Sequence, residues 1–277
     1  MNTRMNWAQK TGLYALLAAL AVFVLFPIYF MMIVSLKTPR DIYRVPSLLP
    51  LNPTLQNYVD LFGDQGFLSN VRNSLIIAVL TTVIAVFISA LAAYSLVRLK
   101  YRFRTLLGRL ILFSYLTPSA LLFIPLSVIM ARLQLGNTMQ GLVFVYMTFA
   151  APLSTWMLMG FFRGIPPDLE EQAMVDGASR LGSLFRILLP VAAPGLAAVS
   201  VLTFTGAWNE LLLALILTTS RDIRTVPVAL QYLITGDVFR WGLIMAGAVA
   251  SAVPVMILYY FSQRFVVQGL GAGAVKG

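Results

Sequence analysis

EQAMVDGASRLGSLFRILLPVAAP, residues Glu171 to Pro194, is a polar segment with two acidic residues, two arginines and two prolines, set between long apolar runs. The chain around it is largely lipid-like, so an insert of this kind faces water or docks on a soluble partner. Hydrophobic residues make up 59% of the sequence and charged residues 11%, with a mean hydropathy of +0.85, far above a soluble domain. This is the composition of a membrane protein.

The apolar runs can be bounded directly. Thr11 to Leu36, Asn73 to Val97, Leu110 to Ala131, Leu133 to Phe162, Ile187 to Asn209 with an extension to Ser220, and Trp241 to Gln263 each reach the roughly 20 residues a helix needs to cross a bilayer. They are apolar on every face and lack the alternation of a barrel strand, which leaves helices as the spanning element. The expected fold is all-α, with six transmembrane helices in a single transmembrane domain, residues 1–277. No other segment is long enough for an independent core. Arg4 and Lys10 before the first run resemble the start of a signal peptide, but the run is too long and no small-residue cleavage site closely follows Phe26.

Orientation follows from Lys and Arg placement. Arg98, Lys100, Arg102, Arg104 and Arg109 cluster between spans two and three, whereas the next loop has only Arg132, so the cluster reads as cytoplasmic. With six spans both termini are then cytoplasmic, residues 36–72 form an external loop, and residues 163–193, containing Glu171, form a cytoplasmic one. The net charge of +10 is accounted for by this placement and by anionic lipid headgroups, so no nucleic-acid partner is read from it.

Cysteine and histidine are both absent. Disulfides, thiolate nucleophiles, Cys/His metal sites and histidine bases are thereby excluded. An intramembrane hydrolase would lack its nucleophile-base pair, and no catalytic residue is assigned. No cofactor is expected on the chain itself.

The external loop carries turn chemistry at Thr38-Pro39, Val45-Pro46, Leu49-Pro50 and Asn52-Pro53, followed by an amphipathic stretch from Leu55 to Phe62. Pro27, Pro118, Pro125, Pro152 and Pro254 fall inside spans, where proline kinks a helix and frees a carbonyl.

Within the internal loop, Ile165-Pro166-Pro167-Asp168 reads as a helix start, with Asp168, Glu170 and Glu171 at the positive end of the helix dipole. That helix runs to about Asp176, and Gly177 permits a break. A second stretch places Leu181, Leu184, Phe185 and Leu188 on one helical face. Pro190 and Pro194 end the loop and start span five. On pattern alone, a surface helix pair that caps the bundle is an equal reading.

Glu210 is the only acidic residue inside an expected span. Counting 1.5 Å per residue from Gly195 puts it roughly 22 Å along a core of about 30 Å, in the outer third. It either satisfies the interface or a neighbouring helix, or lines a solute path. Trp208, Asn209 and the small pair Gly206-Ala207 are further path candidates, because a hydroxylated solute needs paired donors and acceptors and an aromatic face to pack on. In span four Tyr146, Thr148, Ser154 and Trp156 are secondary ones, since such residues more often pack or bond between helices. An ion-coupled secondary carrier using Glu210 is the alternative function, although no internal repeat of such carriers is visible.

The order Glu171, Ala173, Gly177, Ile187, Leu189, Pro190 resembles the EAA loop of permease subunits of ATP-binding-cassette importers, with Gln172 in place of the usual first alanine and Asp176 beside the glycine. Ser35-Leu36-Lys37, the passage Phe204 to Glu210 and the tail Gly269 to Gly277 are similar to MalG-like subunits of carbohydrate uptake systems, so the resemblance spans the chain. It implies a type I importer (MetI-like) permease fold in the inner membrane of a prokaryote. It also implies a second, MalF-like permease, two MalK-like ATPase subunits carrying ATP and Mg, and an extracytoplasmic solute-binding protein.

By the same resemblance the loop couples to the ATPase, with Glu171 as charged anchor, Gly177 as bend, and Leu181, Leu184 and Phe185 as an apolar plug. The chain itself has no phosphate loop. The tail GLGAGAVKG lacks the strand and helix of a dinucleotide cradle and reads as a flexible terminus, which by resemblance reaches the ATPase.

Overall fold

A computed structural model describes residues 6–44, 47–235 and 238–274. Arg4, the Val45-Pro46 turn and the last residues of the tail, 275–277, lie outside the described residues. The chain divides into two compact units, Met1–Phe67 with Leu230–Val253, and Leu68–Ala229 with Pro254–Gly277.

The first unit opens with α1, Trp7–Ser35. Asn6 and Gln9 close a reciprocal capping box at its start, satisfying amide groups that a helix terminus leaves open. Short helices α2, Pro39–Arg44, and α3, Gln56–Phe62, follow. The amphipathic stretch expected at Leu55 to Phe62 is therefore helical, with Asn57 and Leu61 turned inward. The Asn57 amide donates to the carbonyls of Ser35 at 2.8 Å and Lys37 at 2.9 Å, so α3 caps the exit of α1. Gly242 packs against the same side chain, and a Cβ there would meet Asn57 Oδ1 at 2.5 Å. A two-residue antiparallel ladder, Ile234–Thr235 with Val238–Phe239, precedes the last helix.

The second unit holds α4, Phe67–Arg98, from its second residue on, then α5, Arg104–Tyr115, α6, Ser119–Arg132, and α7, Met139–Gly164. The loop region supplies α8, Asp168–Val175, α9, Arg180–Ser183, a π-helical turn at Leu184–Leu188 and α10, Leu189–Val191. After it come α11, Ala193–Trp208, α12, Leu212–Leu217, and α13, Val226–Gln231, which runs into the first unit. The last described helix is α14, Trp241–Ala274, which belongs to this unit from Pro254 on.

Small residues set the packing of this unit. Ala85, Ser89, Ala90 and Ala93 of α4 are buried, letting backbones approach closely, as membrane helices require when lipid offers no hydrophobic drive. Ser89 donates to the Ala151 carbonyl of α7 at 2.9 Å. One apolar cluster joins α4 and α7 to Leu184 and Leu188, and another joins Ile77, Leu142, Tyr146 and Val228 to α12.

Among the described residues four helices, in α1, α4, α7 and α14, are long and apolar enough to cross a membrane, and the number is six if each of two bent pairs is one span. The bends correct two expected boundaries. Span three is not a continuous helix from Leu110 to Ala131, because α5 and α6 meet at 97°. Pro118 is the cause: it disfavours helical backbone at Thr117 and lacks the amide that would continue the ladder. Span five does not begin at Ile187 in line with the rest, since residues 180–191 meet α11 at 79°. α14 remains helical through Gly269 to Ala274, where a flexible terminus was expected.

Candidate functional site

Residues 168–183 form two short helices and a turn whose geometry is fixed by its own backbone. Asp176 ends α8, Gly177 adopts φ +91°, the Gly177 amide donates to Met174 at 3.1 Å and the Ala178 amide to Ala173 at 2.9 Å. This pair of bonds with a left-handed glycine is the Schellman closure of a helix. Ser179 then caps α9 by accepting from the Gly182 amide at 3.1 Å, as serine does at a helix start.

Beyond α9 the sequence face divides. Leu184 and Leu188 are fully buried in the α4–α7 cluster, whereas Leu181 is 59% exposed and Phe185 46%. The division accompanies the π-helical turn, in which the Leu189 amide bonds the Leu184 carbonyl five residues back. Pro190 has no amide to give to Arg186, and a π turn is one way a helix absorbs such a gap. Ile187 and Leu189 are half-buried and Pro190 is exposed. Glu171, Asp176 and Gly177 all lie at the surface, Ala173 is half-buried, and Val175 at the turn is 87% exposed.

The contact that holds this loop was not singled out by the sequence pattern. Glu170, one residue before Glu171, is buried and accepts from Arg98 Nε at the end of α4. Arg98 also donates to the carbonyl of Ile165, which caps α7, at 2.8 Å. A single guanidinium thus ties together the ends of α4 and α7 and the first turn of α8, using the planar fork that suits Arg to such sites. Tyr94, one turn earlier on α4, donates to the Arg180 carbonyl of α9 at 3.2 Å. Only the basic cluster hinted at Arg98, because its partner lies 72 positions away in sequence.

The second feature is a cavity of about 350 Å³ bounded by α4, α7, α11, α12 and the α5–α6 bend. Thr81, Tyr146, Gly206, Ala207 and Glu210 are among its walls, as are Thr117 and Ser119, which the bend at Pro118 turns toward it.

Glu210 is not inside a continuous span. α11 stops at Trp208, and Glu210 occupies the break before α12. Its Oε1 accepts from the Leu213 amide at 2.9 Å and its Oε2 from the Ala214 amide at 3.0 Å, so the carboxylate caps α12 and satisfies open amides. Both oxygens are thereby engaged by the backbone, which gives no support to the ion-coupled carrier. Tyr146, 4% exposed, places its hydroxyl beside this carboxylate but outside hydrogen-bonding geometry.

The other path candidates separate from this pair. Trp208 is buried and stacks on Phe204 at 5.8 Å, and Asn209 is the exposed C-cap of α11. Neither lines the cavity. Ser154 is bonded to Thr203 at 2.9 Å and Thr148 to the Val145 carbonyl at 2.6 Å, the interhelical and local roles usual for hydroxyls in membrane helices.

The backbone matches a bacterial ABC transporter involved in the import of the acidic polysaccharide alginate. The TM-score is 0.81 over 96% of this chain and 99% of that one, at 22% identity. The chain shares that fold, an all-α arrangement whose long apolar helices suit a polytopic membrane protein. Residues 85–271 match the family described as binding-protein-dependent transport system inner membrane component, and the chain belongs to that family.

It is 37% identical to the inner membrane ABC transporter permease protein YcjP of Escherichia coli over the full length of both. It is 38% identical to the trehalose/maltose transport system permease protein MalG of Thermococcus litoralis, covering 93% of this chain and 94% of that one. The trehalose transport system permease protein SugB of Mycobacterium tuberculosis is also 38% identical, over 98% of this chain and 99% of that one. The chain is thus a multi-pass inner-membrane transport component.

Proposed function

We propose that this chain is one permease half of an ATP-driven carbohydrate importer of a prokaryotic inner membrane, its cargo an oligosaccharide, a disaccharide or a related polyol or glycoside. Residues 1–277 act as one permease domain that pairs with a second, related permease and receives solute from an extracytoplasmic binding protein. The substrates for which its relatives are named, trehalose and maltose among them, support the carbohydrate class. Both termini and the loop 163–193 are cytoplasmic in this reading, and residues 36–72 are external. ATP and Mg belong to two ATPase subunits, and the chain binds no cofactor of its own.

One observation carries the coupling role. A water-facing loop pinned by the buried Arg98–Glu170 pair exposes Glu171 together with large apolar side chains at Val175, Leu181 and Phe185, and such a patch marks a protein interface. Ala173, Asp176, Gly177, Ile187, Leu189 and Pro190 set the shape that presents it, and Leu184 anchors it from inside. Closure of the ATPase dimer acts on the spans only if the loop contacts the open and closed dimers differently.

The test is uptake into proteoliposomes holding the complete complex. ATP-dependent accumulation is expected, with Leu181→Asp lowering it by about tenfold or more through burial of a charge at the interface. Solute accumulation driven by this chain without ATPase subunits would overturn the reading.

A further inference from the structure

We infer that this subunit carries its own solute contacts, at the cavity between α7 and α12, for a neutral hydroxylated solute, and that Glu210 makes this site reject anions. The inference deepens the carbohydrate reading and rests on it. It concerns which solutes the subunit touches, not whether it transports.

Three observations converge there. Thr81 Oγ1 and the Tyr146 hydroxyl both belong to cavity-lining residues that are more than nine-tenths buried; Thr81 Oγ1 has no hydrogen-bond partner among the described residues, and the Tyr146 hydroxyl has only the Glu210 carboxylate beside it, outside hydrogen-bonding geometry. Buried hydroxyls without partners are uncommon in folded proteins and point to a missing group. Glu210 adds a carboxylate to the same wall and cannot swing away, because the Leu213 and Ala214 amides hold both of its oxygens.

The volume, about 350 Å³, lies at the lower end of the range for small-molecule sites. Two hydroxyls that can donate or accept, and a carboxylate that only accepts, suit a solute whose own hydroxyls do both. Among the described residues no lysine or arginine lines the cavity, so an anionic solute would meet a fixed negative charge with nothing opposite to offset it. A neutral polyol meets acceptors and donors only.

The chain has no cysteine, so an introduced thiol is the one labelling site in this subunit, and its reaction is read on this subunit separated from its partners. Gly206 lines it, and a Cβ at that position meets nothing within 4 Å. In the complete complex, Gly206→Cys is reacted with a cationic and an anionic methanethiosulfonate. Adding Glu210→Gln should lower the cationic-to-anionic rate ratio by about fivefold, the effect of one unit charge across a partly hydrated cavity. The neutral disaccharides trehalose and maltose, used as probes, should slow the labelling of the Gly206→Cys variant, and an anionic uronate disaccharide should not.

Because Glu210 also caps α12, the near-isosteric Thr81→Val and Tyr146→Phe test the hydroxyls separately. Each should weaken neutral-sugar protection by about threefold to tenfold, the worth of one hydrogen bond, and leave the reagent ratio unchanged. An unaltered ratio in Glu210→Gln, or no protection by either sugar, overturns the inference. If ATP-driven uptake persists in either of those cases, the permease reading stands without the subsite. Loss of uptake from the unsubstituted complex overturns the permease reading itself.

Discussion

Arg98→Ala is expected to lower the stability of the purified complex by about 3–5 kcal/mol, because it leaves Glu170 buried without its countercharge. The side chains of Arg98 and Glu170 are 14% and 4% exposed, so water cannot replace the lost partner. The same change strips a donor from the Ile165 carbonyl, loosening the α7 terminus and α8 together. Thermal unfolding of the detergent-solubilised complex reads the loss directly. Glu170→Gln should cost less, about 1–3 kcal/mol, since an amide can still accept from the guanidinium. The double change Arg98→Met with Glu170→Leu should recover most of the stability, because an apolar pair of similar volume often matches a buried ion pair. A single Arg98→Ala that unfolds like the unsubstituted protein would show that the pair is not what fixes the loop.

Uptake should be abolished in Gly177→Asp while ATP hydrolysis continues. Gly177→Asn should keep most of the uptake that Gly177→Asp loses. Gly177 adopts φ +91°, where any side chain is strained, but Asn and Asp are the residues least disfavoured at positive φ and a Cβ there meets nothing within 4 Å. Both variants strain the turn to a similar degree, and they differ in one negative charge placed beside Asp176 on the exposed surface. Gly177→Val is the control for conformation, because a β-branched residue is a severe outlier at positive φ. Equal uptake in the Asp and unsubstituted proteins would remove Gly177 from the docking surface.

The spans and the motif loop were legible because both are local patterns. Apolar runs of span length and a glycine at fixed distance from a glutamate need no tertiary information. The breaks were not legible in the same way. No charge but Glu210 interrupts the run from Ala193 through Leu217, and only the bonds from Leu213 and Ala214 reveal that this residue caps a new helix after α11 has stopped at Trp208.

The Leu181 to Leu188 face was read at a uniform 100° per residue, whereas the π turn before Pro190 shifts the phase and sends Leu184 and Leu188 inward. Thr81 was overlooked for a different reason: a threonine in an apolar helix usually bonds its own backbone, as Thr82 does to Ala78 at 2.7 Å. Its lack of a partner is visible only in three dimensions.

The turn at Gly177 is closed by main-chain bonds and one glycine, and α8 is anchored by a residue that points inward. No outward side chain from Glu171 to Val175 is needed to build the shape. Folding therefore places no constraint on those outward positions: an exchange at Val175 or Met174 alters what the loop presents to a partner and leaves its shape unchanged.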